Sequence, residues 1–253
     1  MNNTIKTVVI VMLASVVVIA VILNITNNKK PAIKIENKDN TTTVTAKEPI
    51  EMCYYRADKT NRGFYDRAWL KLSILDEKIS GEFYNLPAES DSKVGDFTGS
   101  VGPLDQAIMA RHADVWWNSR AEGMEVKEQL AIQFGDGSAT VGFGEMIDRG
   151  DGVYVYKDAS KLYWIEGMSQ TDCDSIDEKQ VVEQYIRDNI GKISTNKPVL
   201  GGTWYVISAN INSATKIGEI TYEDGHIQNK ATFSYVYNKD TKSVQVMKFT
   251  VNK

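Results

Sequence analysis

The sequence predicts a mainly β protein with an α+β C-terminal part, behind an N-terminal transmembrane helix. Three observations predict this fold class. Thr7–Leu23 is an apolar run without a charged residue. Between residues 50 and 173, apolar and polar residues alternate in short segments, which is typical of half-buried strands. Beyond residue 173, one stretch has the apolar spacing of an amphipathic helix and precedes four more strand candidates.

Residues 1–24 are interpreted as a signal anchor. The apolar run Thr7–Leu23 lies at the short end of the range of about 17–25 residues that spans a bilayer as a helix. Its expected partner is the lipid bilayer. The alternative is a secretory signal peptide, with Lys6 in the charged region and Val18-Ile19-Ala20 as the cleavage site, which implies secretion of the remaining chain.

Two opposing signals in the sequence bear on the orientation of the chain in the membrane. Lys29, Lys30 and Lys34 outnumber Lys6 around the apolar run, and the positive-inside rule then favours a cytoplasmic C-terminus. The short N-terminal tail instead has the form of a signal n-region, and long downstream domains are translocated largely regardless of charge. We expect a cytoplasmic N-terminus and an extracytoplasmic body.

Residues 25–49 are predicted to be a disordered spacer, because they are rich in Asn, Lys and Thr and poor in large apolar groups. Of the net charge of −4, residues 1–23 contribute +1 and residues 24–49 contribute +2, which leaves −7 from Ile50 onward. An acidic body argues against nucleic acid as a partner, because nucleic-acid-binding proteins present basic patches.

Cys53 and Cys173 are the two cysteines of the chain. An even pair in an exported protein predicts a disulfide. The alternative is two separate buried thiols in a cytosolic protein. The predicted disulfide supports export of the body.

Residues 50–173 are predicted to be an antiparallel β domain, either a barrel or a sandwich. Gly135-Asp136-Gly137 between two apolar strands indicates a hairpin. Pro103–Arg111 is interpreted as one or two helical turns. The segments with alternating apolar residues are Ala68–Leu75, Val94–Val101, the region of Val115 and Trp117, Leu130–Phe134 and Val153–Tyr156.

Residues 174–253 are predicted to be a small α+β domain in which a helix covers one face of a four-stranded antiparallel sheet, an order compatible with a cystatin-like arrangement. The helix is placed at 175–193, with Ser175 and Glu178 as a capping box. Asp224-Gly225 indicates a tight turn between the second and third strands. The strand candidates are Thr203–Ile211, Ile217–Glu223, His226–Tyr237 and Ser243–Val251.

Catalytic and cofactor motifs are absent from the sequence: no nucleophile elbow, P-loop or dinucleotide glycine pattern occurs. His112 and His226, far apart in sequence, do not predict a zinc site. Glu122 and Glu145 are the weak candidates for paired acid–base carboxylates, and Asp148 and Asp151, with Glu145, are weak candidates for calcium ligands. No catalytic residue, metal or cofactor is assigned.

Trp116 and Trp117 are the candidate ligand contacts. Adjacent residues of a strand point to opposite faces, so one of the two belongs to the core. The other is expected to be exposed, where its ring could contact a ligand or partner, or to pack beneath the Asp105–Arg111 segment.

Five strings of the body are distinctive: Trp116-Trp117-Asn118-Ser119, Ala121-Glu122-Gly123-Met124, Gly144-Glu145-Met146, Arg149-Gly150-Asp151-Gly152-Val153-Tyr154-Val155-Tyr156 and Leu200-Gly201-Gly202-Thr203-Trp204-Tyr205. They resemble strings of an uncharacterised family of membrane-anchored bacterial envelope proteins. The resemblance covers most of the body and implies a membrane anchor, without any activity or site residue.

These observations favour a non-enzymatic binding or structural module of the cell envelope, with an envelope protein or polymer as its partner. One alternative is a hydrolase that acts on envelope material through Glu122 and Glu145, which requires the two carboxylates to converge in a cleft. The other is a small-ligand carrier, which requires an open barrel interior lined by apolar side chains.

Overall fold

The computed structural model describes residues 47–199 and 201–252, which belong to one compact unit that begins at Lys47. Most of their regular structure is β, as expected. Within this part of the chain, no helix combines the length and the apolar character that a membrane crossing needs. The predicted anchor at 1–24 and the predicted spacer up to residue 46 lie outside the described residues.

The described chain forms fifteen strands, one short 3₁₀ helix at Ala159–Lys161 and one α-helix, α1, at Cys173–Ile193. The strands are β1 Ile50–Lys59, β2 Tyr65–Leu75, β3 Lys78–Leu86, β4 Lys93–Asp105, β5 Ala110–Ala121, β6 Met124–Gly135, β7 Ser138–Phe143, β8 Met146–Asp148, β9 Val153–Tyr156, β10 Tyr163–Trp164, β11 Met168–Thr171, β12 Tyr205–Asn212, β13 Ile217–Glu223, β14 Gln228–Asn238 and β15 Ser243–Asn252.

Eight strands within residues 47–199 close into an antiparallel barrel. Strands β1 to β6 pair in sequence order, β11 pairs with β1 on one side and β7 on the other, and β7 returns to β6. The closing register runs from Ala131 opposite Gly142 to Phe134 opposite Ala139. Closure leaves no free edge in the barrel. It decides between the two predicted alternatives in favour of the barrel.

The barrel interior is filled by apolar side chains. The largest of them, Trp117, is fully buried, and its ring centroid lies 5.2 Å from that of Phe83. Other buried members are Tyr54, Leu70, Leu72, Phe97, Leu130, Ile132 and Met168. Alternating residues of the predicted strands Ala68–Leu75 and Leu130–Phe134 thus point inward, as their period of two requires. The predicted strand Val153–Tyr156 is β9, which lies outside the eight-stranded barrel.

Two pairs on neighbouring strands β3 and β4 show how this interior is filled. Gly81 lies opposite Phe97, and Gly95 lies opposite Phe83. Gly81 leaves room for the Phe97 ring, which an added Cβ would approach to 2.7 Å, whereas an added Cβ at Gly95 would meet the backbone of β5. Small barrels commonly fill their taper by alternation of small and large residues.

One end of the barrel, here called the entry end, is where the chain enters at Ile50. Because neighbouring strands are antiparallel, the same end carries the β2–β3, β4–β5 and β6–β7 turns. At the opposite end, Lys93 and Ser119 both bind the carboxylate of Glu128, which is largely buried. This polar cluster closes the far end of the interior.

The C-terminal part places α1 across a four-stranded antiparallel sheet in the order β12–β13–β14–β15. Val182, Ile186 and Ile190 of the helix pack on the sheet with Trp204 and Tyr222. The predicted helix and meander are therefore both present. The predicted two-residue turn at Asp224-Gly225 is a four-residue connection, since Glu223 pairs with Gln228.

The predicted start of the helix is wrong by two residues. The N-cap is Asp172, whose side chain accepts a hydrogen bond from the Asp174 backbone N–H. Ser175 instead meets Ser213, and Glu178 is buried against Lys216. The predicted capping box is absent because both of its side chains are engaged by the C-terminal sheet.

The predicted helical turns at Pro103–Arg111 are also absent. Strand β4 continues to Asp105 and β5 begins at Ala110, with a register irregularity between Val101 and Leu104. Pairing with β5 on one side overrides the local helical preference of this short segment, which therefore forms a hairpin turn.

Candidate functional site

A disulfide between Cys53 of β1 and Cys173, the first residue of α1, joins the barrel to the helix. This confirms the predicted pair. Ile176, one turn into the helix, is buried in a small cluster with Cys53 and Trp69. The bridge therefore holds the start of α1 against the outer wall of the barrel.

Ion pairs extend the contact between α1 and the barrel, here called the seam, along the helix. Arg67 of β2 is 8% exposed and makes a two-point contact with Glu183, with Nη2 to Oε1 at 3.0 Å. Arg187 binds the same carboxylate from one turn further along the helix, with Nη2 to Oε1 at 2.7 Å. Lys71 of the barrel contacts Asp177 of the helix. Barrel and helix are thus joined by charges that complement one another.

A second contact lies at the far end of the barrel. The backbone N–H of Tyr65 donates to the Ser208 hydroxyl at 3.1 Å, and the Tyr65 hydroxyl donates to Glu219 at 2.7 Å. The β1–β2 turn thereby rests on the face of the C-terminal sheet that α1 does not cover. The barrel is therefore in contact with the C-terminal part at two separate places.

An open groove, here called the seam groove, runs beside these ion pairs with a volume of about 430 Å³. Its barrel wall presents Trp69 stacked on Tyr84, with ring centroids 4.6 Å apart. The barrel wall is completed by Glu82, Leu86 and Val94, and the helix wall consists of Gln180, Val181, Glu183, Gln184 and Arg187. The groove is shallow and open to solvent, and its lining combines aromatic and aliphatic groups with amides and charges.

The ionisable side chains of the seam each favour one protonation state. Burial opposes ionisation of Glu183, but Arg67 and Arg187 outweigh it and hold the pKa of Glu183 below its ordinary value. The pKa of Arg67 is raised, because attraction to Glu183 exceeds the effect of burial. Burial raises the pKa of the Tyr55 hydroxyl to about 12. These groups keep their charge states near neutral pH, so they hold the parts together rather than exchange protons.

The two predicted tryptophans lie on opposite sides of the barrel wall, as adjacent strand positions must. Trp117 is fully buried in the core and presents no surface to a ligand. Trp116 is half-buried on the outside, and its ring faces two cations, with Lys127 Nζ 5.8 Å and the Arg149 guanidinium 5.6 Å from its centroid. Trp116 therefore remains the candidate contact of the two.

The weak carboxylate candidates all lie at the surface. Glu122 occupies the β5–β6 turn and is exposed, and Glu145 is exposed and paired with Lys157 at 2.7 Å. Asp151 pairs with Arg149, and Asp148 accepts a hydrogen bond from the Gly150 backbone. Across residues 47–199 and 201–252, no group of three or more His, Cys, Asp or Glu side chains is placed to hold a metal ion.

Comparisons with protein-family models, with curated proteins and with solved structures gave no match for this chain.

The seam groove was not predicted from the sequence, although one signal pointed to it. Trp69 lies on the side of its strand opposite to Ala68 and Leu70, where a chain that folded as a lone barrel would place polar residues. A large aromatic side chain on the polar face of an amphipathic strand indicates a second layer above it. Here that layer is α1, with Glu183 and Arg187 four residues apart on one face.

Proposed function

We propose that this chain is a membrane-anchored, extracytoplasmic binding or structural module of the cell envelope. The observation that carries the proposal is the disulfide between Cys53 and Cys173. Structural disulfides persist in oxidising compartments outside the cytosol. Together with the apolar run at 7–23 and the spacer predicted at 25–49, the disulfide supports a cytoplasmic N-terminus and an exported body.

A binding or structural role fits the described side chains better than the two alternatives do. The hydrolase requires Glu122 and Glu145 in a shared cleft, whereas both are exposed and Glu145 is paired with Lys157. The small-ligand carrier requires an open barrel, whereas Trp117 and Phe83 fill the interior. The seam groove, with Tyr84 in its wall, is the surface we assign to an envelope protein or polymer.

The proposal is tested by adding protease to intact cells that express the full chain with a specific cleavage site inserted after Asn40. We expect a fragment that starts near residue 41 and ends at Lys253 to appear in the medium. The same site should be cut in permeabilised cells as a control. A fragment that is released only after permeabilisation would contradict the topology. A body found in the medium without protease would identify the secreted alternative.

The disulfide has its own readout in the same cells. When the cells are lysed in denaturant without reductant, a thiol-reactive polymer reagent should leave Cys53 and Cys173 unmodified, and it should modify both after reduction. Modification of both without reduction would show free thiols and remove the main support for export.

A further inference from the structure

Three apolar side chains form an exposed surface at the entry end of the barrel. Ile108 and Met109, at the tip of the β4–β5 turn, are 49% and 64% exposed, and Trp164 of β10 is 40% exposed. They line one hollow of about 410 Å³, whose floor includes Phe134 and Ile165. We call Ile108, Met109 and Trp164 the apolar rim.

The backbone of Met109 makes this surface unusual. Its φ of +51° lies in the left-handed region, where glycine and asparagine are common and other L-residues are strained. The neighbouring part of the turn is regular, since the Asp105 carboxylate accepts a hydrogen bond from the Ala107 backbone. An apolar side chain at such an exposed and strained position points to a contact outside the molecule.

The position of the rim indicates what it contacts. The chain enters the barrel at Ile50, which pairs with Ile74 beside the β2–β3 turn, at the same end as the rim. A disordered spacer of the predicted 25 residues has a root-mean-square length of about 25–30 Å. An anchor joined to the barrel by this spacer would hold the entry end close to the bilayer. Such closeness raises the effective concentration of lipid at the rim, so that even a weak contact can form.

We propose that the apolar rim inserts into the interfacial layer of the bilayer to which the chain is anchored. This inference rests on the proposed anchoring. Tryptophan side chains favour the level of the lipid headgroups, where Trp164 would lie while Ile108 and Met109 reach the acyl chains. Asp136 lines the same hollow, and Asp105 lies in the same turn as Ile108, so we assign uncharged or zwitterionic headgroups to the contact rather than anionic ones.

The experiment places the full chain in nanodiscs of phosphatidylcholine with brominated acyl chains, which quench nearby tryptophan. All five tryptophans lie between residues 69 and 204, so the anchor contributes no signal. We expect quenching, and we expect the variant Trp164→Phe to lose at least half of it. The variant Trp116→Phe removes a half-buried tryptophan of the barrel wall and should leave the quenching unchanged.

A second pair of variants tests the tip of the rim with Trp164 kept as the reporter. Ile108→Ser combined with Met109→Asn should reduce the quenching at least twofold, and asparagine suits the left-handed backbone of residue 109, so the fold is retained. Met247→Thr removes a methionine of similar exposure from β15 and should have no effect. Replacing half of the lipid by phosphatidylglycerol should weaken the contact.

Each remaining outcome has a defined meaning. An anchored protein without quenching, or with quenching that persists in Trp164→Phe, overturns the insertion of the rim and leaves the anchor in place. Quenching that Trp116→Phe abolishes would mean that another face of the barrel meets the lipid, which also overturns it. A chain that fails to enter the nanodisc contradicts the proposed anchoring instead.

Discussion

At the scale of single residues, the guanidinium of Arg67 is buried between the barrel and the helix, and Glu183 balances its charge. Breaking a buried ion pair by removing one partner leaves an uncompensated charge, which is far more harmful than losing an exposed pair. Exposed pairs such as Arg149 with Asp151 should contribute little by comparison.

We predict that Glu183→Gln lowers the free energy of unfolding by about 3 kcal/mol, because Arg67 keeps its buried charge without a carboxylate. Urea titration with the disulfide intact measures the change. Asp151→Asn, which removes an exposed partner, should leave the midpoint unchanged. Equal midpoints for Glu183→Gln and the unmodified chain would contradict the importance of the buried pair.

The same carboxylate gives the molecule a pH dependence. The folded pKa of Glu183 lies below its unfolded value of about 4.5, so its contribution to stability is complete above that pH and is lost as the pH falls through the folded pKa. Between pH 5 and pH 3, the unfolding free energy should therefore fall less steeply in Glu183→Gln. Parallel pH profiles for the two proteins would assign the acid sensitivity to other groups.

At the scale of elements, strands β3 and β4 depend on glycine at two interior positions. A Cβ added to Gly95 would lie 2.0 Å from the carbonyl oxygen of Asn118, and one added to Gly81 would lie 1.9 Å from that of Lys71. Both clashes involve backbone of the neighbouring strand, which cannot yield without disturbing the pairing. These glycines let adjacent strands approach at the most crowded part of the barrel.

We predict that Gly95→Ala destabilises the protein by about 1–3 kcal/mol, in the range of overpacked cores. Gly191→Ala is the matched control, since an added Cβ there has no neighbour within 4 Å and the residue lies in α1. Alanine favours a helix over glycine, so this control should stabilise by about 0.5–1 kcal/mol. Thermal and urea unfolding of both variants should show opposite signs.

Elements with a strong local pattern were predictable from sequence, and their assembly was not. The period-two alternation at Ala68–Leu75 identifies a strand from neighbouring residues alone. The apolar residues on one face of α1 identify a helix in the same way. The prediction of helical turns at Pro103–Arg111 was wrong, because the composition of this segment suits a helix whereas pairing with β5 decides its conformation. The seam groove depends on β2, β3 and a helix that begins more than 85 residues further along the chain, and no local pattern encodes that approach.

At the scale of the whole molecule, the barrel and the C-terminal sheet are joined at two places. The disulfide and the ion pairs of Arg67 and Lys71 fix α1 to the barrel, and Tyr65 fixes the β1–β2 turn to the sheet. Although the sequence suggests separate domains at 50–173 and 174–253, parts joined in this way are expected to unfold together.

We predict one cooperative unfolding transition for the oxidised chain. Amide hydrogen exchange in rising urea should give the same opening free energy for β5 of the barrel and β13 of the sheet. As a control, the exposed β8–β9 connection around Gly150 should exchange rapidly at all urea concentrations, through local opening. Opening of β13 at clearly lower urea than β5 would show that the two parts are energetically independent.

Closure of the barrel has a consequence for how the chain is made. Strand β1 pairs with β11 through Cys53 opposite Thr171, so the first strand to emerge bonds to the last one of the barrel. Until residue 171 has been synthesised, β1 keeps an unpaired edge, the kind of surface that recruits other chains. The disulfide can form only afterwards, since Cys173 follows 120 positions behind its partner. Because β11 ends at Thr171, two residues before Cys173, the bond can form only once every strand of the barrel has been synthesised.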